Sequence, residues 1–453
     1  MKEKLDELKA RLLEINDLDS AASVLSWDQN TYMPPGGAAA RGRQMGTLAR
    51  ISHEKATDPN LGRLLDELMA DVNSLDPDSD DACLIQVAHR DYQRAVMVPS
   101  DFIGRFYAHM AASFQSWTEA RPESNFNKVL PFLEKTLEFS RDYANFFPGY
   151  EHIADPLIAN ADYGMKATRV RAIFQALRAR LVPLVQAITS CPPIDSSFLQ
   201  NHFPEKDQIH FGEMVIKAMG YDFNRGRQDK APHPFTTKFA NDDVRITTRV
   251  NENDLGDALF STIHEAGHAF YELGVNPAFD GLPIGQGTSA GIHESQSRLW
   301  ENIIGRSKPF WSHFYPLLVD LFPNQLHGIS LDQFYKAINK VERSLIRVDA
   351  DEVTYNLHVM LRFDLELDLL EGKLKVKDLP EAWRERFKQD IGIVPDSDRL
   401  GVLQDVHWYA GTIGGSFQGY TLGNILSAQF YAEALKAHPS IEDKIAAGNF
   451  QTL

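Results

Sequence analysis

Two histidines and a glutamate within five residues could form part of a metal-dependent hydrolase site. The segment His264-Glu265-Ala266-Gly267-His268 has the pattern H-E-x-x-H. Residues four apart on a helix project from one face, so His264 and His268 could hold the same metal ion. Glu265 would then be placed to take a proton from a water molecule that the ion activates. The pattern is typical of zinc-dependent peptidases.

The residues around this motif have the spacing of a helix. A match to three fixed positions also arises by chance in unrelated proteins, so the context matters. Apolar side chains recur at helical intervals on both sides of the motif: Leu255, Leu259, Phe260, Ile263, Phe270 and Leu273. Asn253 or Asp254 can cap the start, and Gly274 lies where a helix commonly ends. This context favours a metal site on a helix.

A third protein ligand is expected, because catalytic zinc usually takes three and keeps its fourth position for water. Glu294 is the best candidate, since it lies 26 residues after His268 and begins a second helical pattern, Glu294–Ile304. The segment 276–292 between them is rich in Gly and Pro and allows the chain to turn back. The predicted ligands are therefore His264, His268 and Glu294.

Two further residues near Glu294, His293 and Glu301, could take part in this site. His293 cannot point at the same ion as Glu294 from a regular helix, because adjacent residues diverge by about 100°. Glu301 lies on the same face as Glu294 two turns later and could orient a ligand histidine from behind. We expect instead that Glu301 is a solvated carboxylate.

The composition narrows the class of protein. The chain has 43% hydrophobic and 24% charged residues, as soluble globular proteins do. A net charge of -16 argues against a nucleic-acid partner. No apolar run suits a membrane span or a secretory signal, so a cytoplasmic location is expected. Cys83 and Cys191 are far apart and are expected to be reduced thiols without a special role.

The apolar pattern predicts a mostly helical chain. Amphipathic stripes open at Leu5–Ile15 and continue in six further segments: Ala82–Met97, Val129–Tyr143, Val170–Ile188, Leu255–Leu273, Glu294–Ile304 and Gln333–Leu370. No low-complexity linker or internal repeat divides the chain. We therefore expect one large helical domain over residues 1–453, with two lobes, rather than separate modules.

The clearest strand candidate is Asp243–Val250, immediately before the motif helix. Its residues alternate, with Asp243, Arg245 and Thr247 on one face. A strand edge beside a metal could bind an extended peptide. An ordinary structural strand with an Asp–Arg pair explains the pattern equally well, and both interpretations stay open here.

The chain resembles metallocarboxypeptidases of the carboxypeptidase Taq family. The resemblance extends over about residues 20 to 435 and includes the N-terminal segments Trp27-Asp28-Gln29 and Met33-Pro34-Pro35-Gly36-Gly37. Six motifs occur in the family's order: His233-Pro234-Phe235, Asp243-Val244-Arg245-Ile246-Thr247, the H-E-x-x-H, His293-Glu294-Ser295-Gln296, Ile346-Arg347-Val348-Asp349-Ala350-Asp351 and Gly401-Val402-Leu403-Gln404-Asp405-Val406-His407-Trp408. Any one of these motifs is weak, and six in order are highly specific.

The resemblance implies a fold and an activity. The expected fold is mostly helical, with a deep groove and a small sheet beside the metal, similar to angiotensin-converting enzyme and neurolysin. The expected activity is release of single C-terminal residues with broad specificity and a poor response to C-terminal proline. A homodimer and one divalent ion, zinc or cobalt, are also implied. A metallo-oligoendopeptidase on the same fold is the alternative, and a non-catalytic binding protein would not need Glu265.

A carboxypeptidase must recognise a free α-carboxylate, which an arginine does best with its rigid fork. The resemblance makes Arg347 the candidate anchor. Asp351 is four residues later and could hold Arg347 for the substrate, or the two could form a simple helical ion pair. Arg245 is a second candidate anchor.

Further substrate contacts are implied by the matched motifs. His407 could bind the substrate backbone or the oxyanion, and Gln404 and His233 join the substrate-binding candidates. Trp408 is expected in the core. After the H-W pair, residues 413–420 depart from the family's F-G-Y-F-P-T-Y: an upstream tyrosine and the proline are absent, and the last tyrosine, Tyr420, is kept by position. Tyr420 is our choice for oxyanion stabilisation, with Tyr409 as the fallback.

Overall fold

A computed structural model describes all 453 residues, and most of them are helical. The helices are α1 (Lys2–Thr31), α2 (Ala38–Ala56), α3 (Pro59–Asp71), α4 (Asp80–Met97), α5 (Ser100–Ala120), α6 (Phe126–Asn145), α7 (Asp155–Ala161), α8 (Ala167–Thr189), α9 (Glu205–Met219), α10 (Leu255–Leu273), α11 (Ala290–Arg298), α12 (Lys308–Leu321), α13 (Leu331–Ile338), α14 (Tyr355–Leu370), α15 (Leu379–Asp390), α16 (His407–Ala410), α17 (Gln418–Ala437) and α18 (Ile441–Ala446). The strands are β1 (Gln228–Lys230), β2 (Thr236–Ala240) and β3 (Asp243–Thr248). The predicted mostly helical fold with a small sheet is confirmed. None of the helices combines the length and the apolarity that crossing a membrane requires.

Two large hydrophobic cores organise the helices. The first packs α6, α8, α14 and α15 around Trp383 and Phe363 and includes Trp408. The second packs α9, α10, α12, α13 and α18 around Trp311. A smaller core joins α1, α3 and α4 at the N-terminal end. The predicted core position of Trp408 is confirmed, and both cysteines are free thiols.

The sheet has the strand order β1-β3-β2 and packs against the motif helix. Strand β3 pairs in parallel with β1 and antiparallel with β2. Val244 and Ile246 of β3 are buried against Ala266 and Ala269 of α10. Because β3 is the central strand, the suggestion that it offers a peptide-binding edge is wrong. It also ends at Thr248, two residues earlier than predicted.

The motif helix α10 begins and ends where the sequence predicts. The carboxylate of Asp254 accepts the backbone N–H of Gly256 and caps the first turn. The second ligand helix starts earlier than predicted, and its last part, which ends at Ile304 as predicted, has a different helical form. Helix α11 begins at Ala290 with Ser289 as its cap, and residues Leu299–Ile304 continue it as a π-helical turn.

The predicted continuous helix over Gln333–Leu370 is wrong. Helix α13 ends at Ile338, an irregular segment follows, and α14 begins only at Tyr355. The carboxylate of Asp351 accepts the backbone N–H groups of Val353 and Thr354, which starts the chain turning toward α14. Apolar periodicity cannot reveal such a break, since the irregular segment also carries apolar residues that pack on the first core: Leu345, Ala350 and Val353.

Candidate metal centre and active site

Three side chains converge on one point between α10 and α11. The ligand atoms of His264, His268 and Glu294 all lie within 4.8 Å of one another. Glu294 Oε2 lies 3.9 Å from His264 Nε2 and 3.5 Å from His268 Nε2. Tetrahedral ligands about 2.1 Å from an ion are about 3.4 Å apart, so the three atoms need little adjustment to hold one. Two imidazoles and a carboxylate are also the donor set of catalytic zinc sites.

Two glycines allow the helices around these ligands to approach closely. A Cβ on Gly267, inside the motif, would lie 2.6 Å from the Cα of Ser297 on α11. A Cβ on Gly423 of α17 would lie 2.6 Å from Glu294 Cγ. Helix α11 therefore packs tightly between α10 and α17, and this packing fixes the backbone that carries Glu294.

The charge of Glu294 is balanced by its neighbours. Arg298 Nε donates to Glu294 Oε1 at 2.7 Å, one helical turn along α11. Burial raises the pKa of Glu294, but Arg298 and the two histidines outweigh burial and hold it well below the usual range. Glu294 is therefore an anion, as a metal ligand must be.

Glu301 supports His264 from behind. Its Oε2 lies 2.8 Å from His264 Nδ1, and Arg298 Nη1 donates to the same oxygen at 3.1 Å. Burial raises the pKa of Glu301, but Arg298 and His264 lower it to about 2. The side chain is only 13% exposed, so our expectation of a solvated carboxylate is wrong.

The other histidine has a different partner behind its ring. His268 Nδ1 lies 2.6 Å from His293 Nδ1. His293 Nε2 lies 2.8 Å from Glu272 Oε1, and Lys238 Nζ lies 3.0 Å from Glu272 Oε2. His293 therefore faces the back of His268 while Glu294 faces its Nε2 atom, as the divergence of adjacent helical residues requires.

Strand β2 positions the candidate base. Thr236 Oγ1 lies 2.6 Å from Glu265 Oε2 and 2.9 Å from the backbone oxygen of Glu265. This hydroxyl can donate to the carboxylate and limit its rotation. Thr236 is absent from the sequence prediction, although it follows the His233-Pro234-Phe235 motif directly.

Arg347 lies in a short 3₁₀ turn, and all three nitrogens of its guanidinium have partners. Its Nε donates to Asp405 Oδ2 at 2.7 Å, and Nη2 donates to Asp405 Oδ1 at 3.3 Å. Its Nη1 donates to the Tyr355 hydroxyl at 2.9 Å. Asp351 contacts nearby backbone N–H groups instead, so both suggested Arg347–Asp351 pairings are wrong. The two residues are not on one helix, which removes the i,i+4 geometry.

Gln404 supports the backbone of Arg347 and contacts Arg362 rather than facing a ligand. Gln404 Oε1 accepts from the backbone N–H of Arg347 and from Arg362 Nη2. Its Nε2 donates to two backbone oxygens, those of Leu345 and Leu400. Both donors and both acceptor positions of this amide are used within the protein.

Asp405 connects Arg347 to His407 and Tyr420. His407 Nδ1 lies 2.5 Å from Asp405 Oδ1, and His407 Nε2 lies 3.0 Å from the Tyr420 hydroxyl. Burial raises the pKa of Asp405, but Arg362 and Arg347 outweigh it and lower the pKa well below its usual value. Burial raises the pKa of Tyr420, so its hydroxyl keeps its proton.

Two further candidates, Tyr409 and Arg245, have structural surroundings. Tyr409 is fully buried in the first core, so it is not available to an oxyanion and the fallback choice is wrong. Arg245 pairs with Asp243 and lies over the ring of Trp27, which favours the structural interpretation of this strand.

His233 lies beside the site. Partial desolvation lowers the pKa of His233, and the charges of Glu265, Arg347 and His407 also act on it. His233 is exposed, and the charges that act on it include those of three other site candidates. His233 therefore stays among the substrate-binding candidates.

Comparison with known proteins agrees with this geometry. Residues 7–453 match the family described as carboxypeptidase Taq (M32) metallopeptidase. Thermostable carboxypeptidase 1 of Thermus thermophilus is 38% identical over 444 residues, covering 96% of this chain and 87% of that protein. Carboxypeptidase 1 of Bacillus subtilis is 34% identical over 453 residues, covering 100% of this chain and 89% of that protein.

A solved structure extends the similarity to three dimensions. The crystal structure of an M32 carboxypeptidase from Deinococcus radiodurans R1 is 48% identical and superposes with a TM-score of 0.95. The similarity covers 99% of this chain and 90% of that one. The chain therefore belongs to the carboxypeptidase Taq family of M32 metallopeptidases.

Proposed function

We propose that this metal-dependent carboxypeptidase releases single C-terminal residues from peptides, with broad specificity, using Glu265 as general base. The observation that carries the proposal is the convergence of His264 Nε2, His268 Nε2 and Glu294 Oε2, beside Glu265 on the same helix. One divalent ion is the proposed cofactor, zinc first and cobalt as the alternative. When bound, the ion would act as a Lewis acid on the scissile carbonyl and lower the pKa of the attacking water.

Glu265 performs the proton transfers. Its carboxylate takes a proton from the attacking water and later gives it to the leaving amine. The Thr236 hydroxyl at 2.6 Å leaves the other carboxylate oxygen, Oε1, available for this exchange. Strand β2 thus holds the base in a fixed orientation during both transfers.

Arg347 anchors the substrate C-terminus. A guanidinium has five N–H donors in a fixed fork. Asp405 and Tyr355 use three of these donors, which leaves one on each terminal nitrogen. Two donors on adjacent nitrogens match the two oxygens of an α-carboxylate.

Tyr420 and His407 stabilise the developing oxyanion. The Tyr420 hydroxyl has one proton, which it can donate either to His407 Nε2 or to the substrate. When both nitrogens of His407 carry protons, His407 donates to Tyr420 and leaves the Tyr420 proton free for the substrate oxygen. Asp405 balances the charge of His407 in that state. His233 contacts the substrate beside these groups.

The test compares two tripeptides that differ only at the C-terminus, one free and one amidated. We expect the free peptide to lose one residue and the amidated peptide to be cleaved far more slowly. A chelator should abolish the activity, and Zn²⁺ or Co²⁺ should restore it. Equal cleavage of both peptides would remove Arg347 from its role, and internal cleavage of longer peptides would favour an endopeptidase.

We also propose that residues 1–453 act as one domain and that the protein is a cytoplasmic homodimer. The dimer follows from the family resemblance alone. Light scattering on the purified protein tests it, and a mass equal to one chain would contradict it. Fractionation of the source cells tests the location.

A further inference from the structure

The two candidate histidine ligands have chemically different partners behind their rings. His264 Nδ1 faces the carboxylate of Glu301 at 2.8 Å. His268 Nδ1 faces another imidazole, that of His293, at 2.6 Å. Ligand histidines usually donate this second N–H to a carboxylate, a carbonyl or water, so the His268 arrangement needs its own account.

The direction of each hydrogen bond behind His268 follows from the proposed ligand role. His268 must present the lone pair of Nε2 to an ion, so its proton lies on Nδ1 and is donated to His293 Nδ1. A neutral His293 then carries its proton on Nε2. That proton is donated to Glu272 Oε1 at 2.8 Å. Every N–H in the series has an acceptor, and only this direction satisfies all of them.

Glu272 and Lys238 fix the orientation of His293. Glu272 Oε2 lies 3.0 Å from Lys238 Nζ, and both side chains are largely buried. Lys238 also donates to the backbone oxygen of Gly285 at 2.9 Å. A Cβ on Gly287 would lie 2.7 Å from His293 Cδ2, so this glycine leaves the space that the ring occupies. The imidazole is therefore held by both hydrogen bonds and packing.

Lys238 and Thr236 belong to the same short strand. Both lie on β2, two residues apart, and residues at that spacing share one face of a strand. Thr236 contacts Glu265, and Lys238 reaches His268 through Glu272 and His293. One face of β2 therefore contacts the candidate base Glu265 directly and is connected to the candidate ligand His268 through Glu272 and His293.

We propose that His293, oriented by Glu272 and Lys238, is a positioning residue that sets the tautomer and the ring orientation of His268. This inference rests on the proposed metal site. It assigns no contact between His293 and substrate. Its consequence is that metal affinity depends on an acceptor at the position of His293 Nδ1.

The test measures Zn²⁺ affinity by competition with a chromogenic chelator for three proteins that differ at one position. His293→Leu keeps the size but removes the acceptor, and it should weaken binding by about 10- to 100-fold. His293→Asn restores an acceptor oxygen near the position of Nδ1, and it should recover most of that loss. Lys238→Met leaves Glu272 without its cation and should weaken binding by about 10-fold, the lower end of that range.

A second histidine–glutamate pair provides the control. His152 Nε2 lies 2.7 Å from Glu371 Oε1, both side chains are 14% exposed, and the other partners of Glu371 are Arg171 and Lys373, none of them a candidate ligand. His152→Asn should leave Zn²⁺ affinity unchanged. Circular dichroism checks that each variant is folded. If His293→Leu does not fold, the Zn²⁺ affinities of His293→Asn and Lys238→Met still test the inference.

Two results would overturn the inference. Wild-type affinity in His293→Leu would show that no acceptor is needed, and equal losses in the Leu and Asn variants would show that size or fold matters instead. Failure of the proposed function looks different. In that case wild type would bind no Zn²⁺, or His268→Ala would bind it as tightly as wild type.

Discussion

The candidate metal centre and the proposed carboxylate anchor around Arg347 are two neighbouring regions built in opposite ways. In the metal centre the side chains follow helical spacing, with His264 and His268 on α10 and Glu294 and Arg298 on α11. In the anchor the side chains come from separate segments and meet at Asp405. A regular helix therefore determines the first region, and one buried carboxylate determines the second.

This difference predicts different responses to mutation. In the metal centre the two histidines have separate supports, Glu301 and His293, so the loss of one should leave the other histidine in place. Only Arg298 is shared, between Glu294 and Glu301. In the anchor, Asp405 contacts Arg347, Arg362 and His407 at once. Breaking a buried charge pair by removing one partner costs more than the pair contributes, because a buried charge is left without compensation. The variants below test this comparison, from the largest expected effect to the smallest.

Glu265→Gln should reduce kcat by about 100- to 10,000-fold, because the amide cannot take the proton of the attacking water. The Gln side chain can still accept from Thr236. Metal content, measured by atomic absorption, should be unchanged. If the variant keeps the wild-type rate, the general-base assignment is refuted. If the variant loses the metal, Glu265 contributes to metal binding, and the lower rate does not test its role as a base.

Arg347→Met should reduce kcat/KM for a peptide with a free C-terminus by about 30- to 1,000-fold, from about 2 to 4 kcal/mol of lost charge-assisted hydrogen bonding. Arg362 remains to pair with Asp405. The amidated peptide should be almost unaffected, so the ratio of the two rates is the measurement. Tyr355→Phe is the matched control, because it removes one hydrogen bond to Arg347 and leaves the proposed carboxylate donors. An unchanged ratio in Arg347→Met would contradict the anchor.

Gly267→Ala should destabilise the protein by about 1 to 3 kcal/mol, as overpacking does, and should weaken metal binding. The new Cβ would lie 2.6 Å from Ser297 Cα and 2.8 Å from the Gln296 backbone oxygen. Helix α11 must then move away and take Glu294 with it. Denaturant unfolding and chelator competition measure the two effects.

The control for Gly267→Ala is a glycine in an open helix. A Cβ on Gly46 of α2 would meet nothing within 4 Å. Gly46→Ala should therefore stabilise the protein by about 0.5 to 1 kcal/mol through helix propensity, with no change in metal affinity. Similar effects of the two substitutions would show that close helix packing does not position Glu294.

Glu366 should make the free energy of unfolding depend on pH. Trp408, next to His407, donates from Nε1 to Glu366 Oε1 at 2.9 Å, and burial raises the pKa of this carboxyl to about 8. In the unfolded chain its pKa is about 4.3. Between these values the folded protein keeps a proton that the unfolded chain releases, so rising pH lowers the free energy of unfolding.

Glu366→Gln should remove that dependence. Relative to the variant, wild type should lose stability as pH rises from 5 to 8, by at most about 1.4 kcal/mol per pH unit. Unfolding curves at three pH values measure it. Parallel trends in both proteins would mean that Glu366 does not stay protonated in the folded state.

The sequence predicted the metal centre better than the anchor, for a physical reason. Helix α10, its Asp254 cap and the approach of Glu294 follow from residue types and helical spacing. The pairing of Arg298 with Glu294 and Glu301 also has i,i+4 and i,i+3 spacing and was open to prediction. These contacts join residues that are close in sequence, so residue spacing alone can predict them.

The anchor contacts join residues far apart in sequence. Asp405 and Arg347 are separated by 58 positions, and nothing in either segment indicates that they pair. The break between α13 and α14 was missed because apolar residues continue across it at similar spacing. Thr236 and the strand order were missed because β1 and β2 are too short to show alternation. The predicted fold class and family are confirmed, and the individual site roles stay predictions.

The most direct test of the metal site is a crystal structure of the protein soaked with Zn²⁺, with anomalous data collected at the zinc absorption edge. We predict one strong peak about 2.0 to 2.2 Å from His264 Nε2, His268 Nε2 and Glu294 Oε2. His268 Nδ1 should remain against His293. A zinc peak elsewhere, or Glu294 turned away from a zinc bound by the two histidines, would contradict the account.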